Sequence, residues 1–379
     1  MIYLDSAATT AVRRDVLEAM WPALTGQFGN PSSTHDLGAA AAKMLADARD
    51  TIAAIVGGRA SEVIFTSGGT ESDNLAIKGI ALAAPRGRHI VASAIEHPAV
   101  AEACDYLERF HGFEISVVDV DGDGIVRVED VAAAVRADTT LVSIMYANNE
   151  IGSVQPIAQI AAIAHAVGAV MHTDAVQAAG WLDLDVRTLG VDALSISGHK
   201  LGAPKGVGAL WLRGSIPIEP LIHGGGQEHG RRSGTENVAG AVGLATALAI
   251  GEGIRVDATA ITTALRDAFI SRVLATVPGA RLTGSPTLRL PVSASFTLGE
   301  TSGEAVVLEL ERRGIVCSSG SACAAGRDEP STVLLALGLS PELAQTALRF
   351  TLDTSITADQ LDDVSTALRD AVATVASIA

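Results

Sequence analysis

Val191-Asp192-Ala193-Leu194-Ser195-Ile196-Ser197-Gly198-His199-Lys200 is the stretch on which the fold turns. Its apolar run, Val191 to Ile196, has the composition of a buried strand, and it ends on a lysine beside a hydroxyl and an imidazole. An amine placed where a buried strand stops loses hydration, so its pKa should fall below about 10.4 and its neutral, nucleophilic form becomes accessible. Such an amine can form a Schiff base. A lysine that lays its stem on apolar surface and keeps its head in water would read the same way in these ten residues, so the choice rests on the rest of the chain.

Upstream, Gly168 to Gln177 reads as a short buried strand that delivers Asp174 at its carboxyl end. Ligands of open α/β sheets sit outside the carboxyl ends of the strands, which places Asp174 and Lys200 on one crevice. A carboxylate with a Schiff-base lysine suits pyridoxal phosphate, whose ring nitrogen the aspartate keeps protonated. An aspartate there can also simply cap a following helix. Further strand-like runs are Val63 to Thr66, His89 to Ser93, Ile115 to Val118, Leu141 to Met145, Ala169 to His172, Ala193 to Ser197 and Val207 to Leu212, alternating with helical patterns. The best patterned helix carries Leu37, Ala41, Met44, Leu45, Ala48, Ile52 and Ile55 on one face and stops at Gly57-Gly58. Such alternation predicts a mainly parallel sheet with helices on both faces.

Glu62 to Thr66 runs into Ser67-Gly68-Gly69-Thr70-Glu71-Ser72 and then a helical pattern with Leu75, Ile77 and Ile80. Glycines admit an anion close to the backbone and the first amides of a helix point at it, so this is a phosphate site in form, although Gly-Gly also makes ordinary tight turns. It is neither a dinucleotide fingerprint nor a P-loop. Cys323 lies in Ser318 to Pro330, among small and polar residues that cannot seal a thiol in a core. Exposed thiols are oxidation liabilities, which favours a reactive role. Cys104 shares a helical face with Val100 and Leu107, and Cys317 closes Gly314-Ile315-Val316, so both read as packing residues.

With these residues on the page, the chain resembles the cysteine desulfurases of the NifS/IscS type, within the class V aminotransferases. The likeness runs from Tyr3-Leu4-Asp5-Ser6-Ala7-Ala8-Thr9-Thr10 to Leu348-Arg349-Phe350, through Phe28 to Ser33, Thr66 to Leu75, Glu96-His97, Ala147 to Gly152, His223 to Glu228 and Arg232 to Thr235. It implies fold type I of pyridoxal phosphate enzymes: a mainly parallel seven-stranded sheet with helices on both faces, plus a smaller α/β domain. The large domain would be 12–250; 1–11 and 251–379 would form the small one, which carries the Cys323 loop. Lys200 would hold the cofactor, Asp174 would pair with its ring nitrogen, and His97 would stack on the ring and relay protons. Gln177 and Asn149 would reach the ring hydroxyl. Gly69, Thr70, Ser197 and His199 would hold the phosphate, and Thr235 would reach that of a neighbouring subunit in an obligate homodimer. Asn30, Asn149 and Arg349 would bind the substrate, Arg349 gripping its carboxylate. L-Cysteine would displace Lys200, whose freed amine would shuttle the Cα proton. The Cys323 thiolate would then attack the substrate sulfur, leaving alanine and an enzyme persulfide for a sulfur-acceptor protein, an iron–sulfur scaffold or a thiolation enzyme.

The resemblance implies no metal in the isolated enzyme, although Cys323 could serve as a transient iron–sulfur ligand. Two departures stand out. Asp353-Thr354 replaces the Gly-Arg that commonly follows Arg349-Phe350-Thr351-Leu352, which puts support for the carboxylate clamp in doubt. The family's C-terminal extension for scaffold docking has no counterpart after the last helical pattern, which weakens the expectation of docking. A class V aminotransferase would share Lys200 and Asp174 without needing a loop thiol. A selenocysteine lyase would show an Arg-x-Gly-His-His-Cys pattern, and a non-catalytic descendant should have lost Lys200, Asp174 or Cys323.

Composition agrees. The 379 residues are 48% hydrophobic, enough for a large core, and a net charge of -16 argues against nucleic acid or anionic membrane as a partner. Val238 to Ile250, the longest nearly apolar run, reads as too short to span a bilayer. The motif region starts at once, with no signal peptide, and three cysteines with one in a loop suggest a cytoplasmic enzyme.

Overall fold

The structure, a computed structural model, describes residues 1–83, 85–299, 301–319 and 329–377. Seven strands form the main sheet, in the spatial order Val63–Thr66, Gly208–Leu212, Ala193–Ser197, Val170–Asp174, Thr139–Ser143, His89–Ser93 and Glu114–Val118. Pairing is parallel from Ala193–Ser197 to Glu114–Val118, while Gly208–Leu212 runs antiparallel to both of its neighbours. The expected α/β architecture is present, with one reversed strand that the apolar runs alone did not reveal.

The central strands are buried throughout because each side chain has a helix layer to meet. Val63, Phe65, Val91, Val142, Leu194, Ile196, Ala209 and Trp211 enter one core. Ile64, Ile90, Ala92, Leu141, Ala193, Leu210 and Leu212 alternate with them into the other. On the first face lies the helix Asp36–Val56, which ends on left-handed Gly57 as its sequence predicts.

The helix that opens with the apolar run from Val238 extends well beyond that run. It is a single 39-residue helix, Val238–Thr276, long and apolar enough by length and composition to cross a membrane. Half of its most apolar window is buried inside the fold, against the helices Arg14–Leu24 and Asp36–Val56 among others. The helix also runs through residue 251, where the sequence suggested a boundary between units.

Beyond it a separate core gathers Leu4, Phe269, Phe296, Leu310, Phe350 and Leu368. Three of its rings, Phe269, Phe296 and Phe350, meet edge to face with centroids 5.3 to 6.3 Å apart. A four-stranded antiparallel sheet, Ser318–Ser319, Ala347–Thr351, Ser293–Thr297 and Arg281–Leu282, carries Arg349. The chain's first residues join this part: Ile2–Tyr3 pairs in parallel with Ile315–Val316.

Candidate functional site

Five strands of the main sheet point their carboxyl ends at one place. Thr66 leads to Gly69, Thr70 and Asp73; Ser93 to His97; Ser143 to Asn149; the strand Val170–Asp174 to Asp174 and Gln177; and Ser197 to His199 and Lys200. With Ala7, Ala8, Met145, Val176 and Arg349 these residues line a cavity of about 280 Å³. Strand order reverses at His89–Ser93, which has the next strand, Glu114–Val118, on one side and the one after it, Thr139–Ser143, on the other, and a crevice at such a switch point is expected.

Asp174 is buried, and one carboxylate oxygen accepts the Val176 N–H at 2.8 Å. Burial raises its pKa, opposed by the charges of His97 and Lys200 and by the Val176 hydrogen bond. The capping reading of Asp174 is therefore half right, since it organises the turn after its strand and still faces the cavity.

Lys200 follows its strand in a single helical turn, Gly198–Lys200. Its Nζ donates to the carbonyl oxygens of Ala7 and Ala8, the latter at 2.7 Å. The amine thus faces the cavity, held by the N-terminal segment. Thr10 fastens the same turn, its N–H and hydroxyl both donating to the His199 carbonyl at 2.9 Å. His199 is pushed down to about 4, chiefly by burial, so its imidazole is neutral, with Nδ1 3.2 Å from the Thr9 hydroxyl.

His97 caps the helix Pro98–His111. Its Nδ1 accepts the Ala99 N–H at 3.0 Å, which leaves the ring proton of the neutral form on Nε2. Burial lowers its pKa and Lys200 adds to this, while Asp174 pulls the other way. One side chain thus caps a helix and lines the cavity.

Gly68 has φ 155°, a conformation that side chains rarely adopt, and a Cβ on Gly69 would lie 2.8 Å from Val176 Cγ2. Facing it, a Cβ on Gly208 would strike the Gly68 backbone at 2.7 Å. Ser197 is buried beside this turn. The cradle, the buried acid and the lysine fit pyridoxal phosphate: backbone amides with Thr70, Ser197 and His199 for the phosphate, Asp174 for the ring nitrogen, Lys200 for the carbonyl carbon. Gln177 lines the same wall and donates to the Ala7 carbonyl at 3.1 Å. No group of three His, Cys, Asp or Glu that could hold a metal exists among the described residues.

Arg349 is buried. Its Nη2 donates to Asp5 at 2.7 Å and its Nη1 to the Asn149 carbonyl at 3.0 Å, while Nε has no hydrogen-bond partner. The support in doubt at Asp353-Thr354 comes from Asp5 and Asn149. Asp353 instead accepts from its neighbour Ser355 at 2.8 Å. Glu150, next to Asn149, accepts from Ser331 at 2.5 Å and is raised to about 7 by burial.

Two expected residues are not on the wall of this cavity. Asn30 is exposed and uses its side-chain oxygen to accept the Ser32 N–H at 2.9 Å. Thr235 is exposed as well. Within one chain neither meets the site, because their motifs lie on surface loops away from the strand ends. Cys323 lies outside the described residues. Cys104 and Cys317 are buried and both thiols are pushed up to about 12 by burial, as packing residues should be. Sequence reasoning overlooked Asp5, Asp73 and the Ala7 and Ala8 carbonyls as site components, although all lie inside motifs that carried the resemblance.

Comparison with known proteins agrees with this geometry. Residues 2–364 match the family Aminotransferase class-V. A cysteine desulfurase IscS of Dictyoglomus turgidum is 46% identical over 362 residues, covering 95% of this chain and 92% of that one. A cysteine desulfurase of Cereibacter sphaeroides is also 46% identical, covering 95% and 93%. Among solved structures, a NifS-like protein superimposes with a TM-score of 0.91 at 36% identity, covering 98% of this chain and 99% of that one.

Proposed function

From the premise that this chain belongs to the class-V aminotransferase family and is a pyridoxal phosphate-dependent cysteine desulfurase, we propose how its residues divide the work. The observation that supports the division most is the single cavity shared by Asp174, His97, Lys200 and Arg349. When bound, pyridoxal phosphate supplies an electron sink for the bond broken at the substrate Cα.

Arg349 binds the carboxylate of L-cysteine, its planar fork pre-set by Asp5 and the Asn149 carbonyl. Asn30, expected at the substrate, takes part only if it comes from a second copy. Lys200 holds the cofactor between turnovers, and its amine then takes the proton from Cα and returns it to the product. Asp174 keeps a negative charge against the ring nitrogen. His97, neutral with its proton on Nε2, would stand against the cofactor ring and relay protons. The Cys323 thiolate attacks the sulfur of the substrate. A sulfur–sulfur bond forms as the carbon–sulfur bond breaks, the product leaves as alanine, and the persulfide passes to an acceptor protein.

Thr235 completes the phosphate site of a second copy in a homodimer, and 1–11 with 251–379 works as a unit that brings Arg349 and Cys323 to the large domain 12–250. A reducing cytoplasm would keep the thiol available.

The test is Cys323→Ser. It should bind cofactor and change colour with L-cysteine, since those steps use Lys200, Asp174 and His97. It should release almost no sulfide when a thiol reductant is present, because a serine hydroxyl is un-ionised at neutral pH. Wild type should form alanine and sulfide in equal amounts and carry one extra sulfur on the Cys323 peptide. Full sulfide release by Cys323→Ser would overturn the role of that thiol, and a borohydride-reduced cofactor found anywhere but on Lys200 would overturn the lysine.

A further inference from the structure

Two carboxyl groups line the cavity, Asp174 and Asp73 on the helix Gly69–Asn74, and the charge of a third, Glu96 just before His97, acts on Asp73. All three are buried. Like charges this close inside a protein cannot all persist, so the surroundings decide which one keeps its charge.

The surroundings differ. Asp174 has the Val176 N–H and the positive charge of Lys200. Glu96 accepts from Ser93 and, through Oε1, from the Met145 N–H at 2.9 Å, while its Oε2 has no partner; burial raises it to about 8. Asp73 is 1% exposed and its Oδ1 has no hydrogen-bond partner. Its one polar support is the Ser195 hydroxyl.

The nearest imidazole offers Asp73 no charge. His172 Nε2 stands 3.8 Å from Asp73 Oδ1, but this ring is enclosed between Ser143 at 2.9 Å and Ser195 at 3.0 Å. It is driven down to about 3 by burial, and so is neutral. Among the described residues, Asp73 therefore sits with Asp174, Glu96, a neutral histidine and a serine, and no cation acts on it. Burial, then the negative charge of Asp174, raise its pKa well above the usual carboxylate range.

We propose that Asp73 is a positioning residue that stays a neutral carboxylic acid in the working enzyme, so that the Asp73–Asp174 pair carries one negative charge and carries it on Asp174, facing the cofactor ring nitrogen. A second charge at Asp73 would compete with Asp174 for the positive charge of Lys200. The proton stored on Asp73 prevents this, and the Ser195–His172–Ser143 chain fixes the acid from behind without supplying a charge. This rests on the assignment of Asp174 to the ring nitrogen, but its central test needs no activity.

In the apoenzyme, unfolding exposes Asp73 to water, where it ionises above about pH 4. A neutral native acid therefore makes unfolding release one proton. The unfolding constant of wild type should rise relative to that of Asp73→Asn by about tenfold per pH unit between pH 5 and 7. Parallel pH dependences of the two proteins would overturn the proposal. In the holoenzyme, Asp73→Asn exchanges one neutral group for another and should leave the pH titration of the cofactor's visible absorbance where it is. A shift of that titration by half a unit or more would mean that a charge had been removed, and would overturn it too. Should Asp73→Asn fail to fold, carbon-13 NMR of the wild-type apoenzyme labelled at aspartate Cγ decides. One aspartate must remain protonated at pH 7, and an all-ionised set would sink the assignment. If these titrations behave as expected while Cys323→Ser keeps full sulfide release, the charge assignment survives and only the role of the thiol fails.

Discussion

Arg349 illustrates how one side chain changes meaning between sequence and structure. In a strand of the small sheet it would be an unremarked cation, but burial leaves its charge dependent on Asp5 and the Asn149 carbonyl. A buried charge that loses its partner is costly, and a guanidinium that loses one anchor samples more orientations. Asp5→Asn should therefore raise KM for L-cysteine about tenfold or more, about 1.4 kcal/mol of lost binding, with a smaller change in kcat. Steady-state kinetics check this, and a fall in KM would mean that Asp5 competes with the substrate carboxylate rather than aiming its receptor. Cys104 and Cys317 show the converse case. Their neighbours in sequence already marked them as packing residues, and burial holds both thiols far from ionisation.

At the scale of elements, the site is a set of strand ends, and what lies between the strands stabilises it. His172 sits on Val170–Asp174 and bridges Ser143 and Ser195 of the two flanking strands. Its folded pKa of about 3 lies below the ordinary unfolded value of about 6.5. Between these values the unfolded chain binds a proton that the native state refuses. Its contribution is fully present above about pH 6.5 and is lost as pH falls toward 3. Denaturant titrations should show wild type losing stability below pH 6.5 more steeply than His172→Gln, by up to one proton per molecule, about 1.4 kcal/mol per pH unit. Equal slopes would show that the imidazole is not neutral in the fold. The helix that His97 caps gives a related lesson: one nitrogen serves the helix start, and that fixes the tautomer presented to the cavity.

For the whole molecule, the open question is the second copy. Thr235 and Asn30 lie off the cavity of their own chain, while Leu17, Trp21, Leu24 and Phe28 expose apolar surface between 51% and 67% of its maximum. The protein should run as a dimer in light scattering, and a fully active monomer would remove the shared-site reading. Much of this was legible in the chain. Apolar runs of four to six residues set the strands, Gly57 set a helix end, and Asp174 and Lys200 were placed by the rule that ligands sit at strand carboxyl ends, because local periodicity and local charge carry that information, while His97 came only from the family resemblance. The sequence by itself determined the α/β class, the family and the cofactor chemistry. Tertiary structure alone decided that Gly208–Leu212 runs backwards, that the segment from Asp5 to Thr10 clamps Lys200 and Arg349 from nearly 200 and 344 positions away, and that Asp73 meets Asp174. Those facts depend on which distant groups share a buried space, and the energy of a buried charge is set by its neighbours in space, which no local pattern of residues encodes.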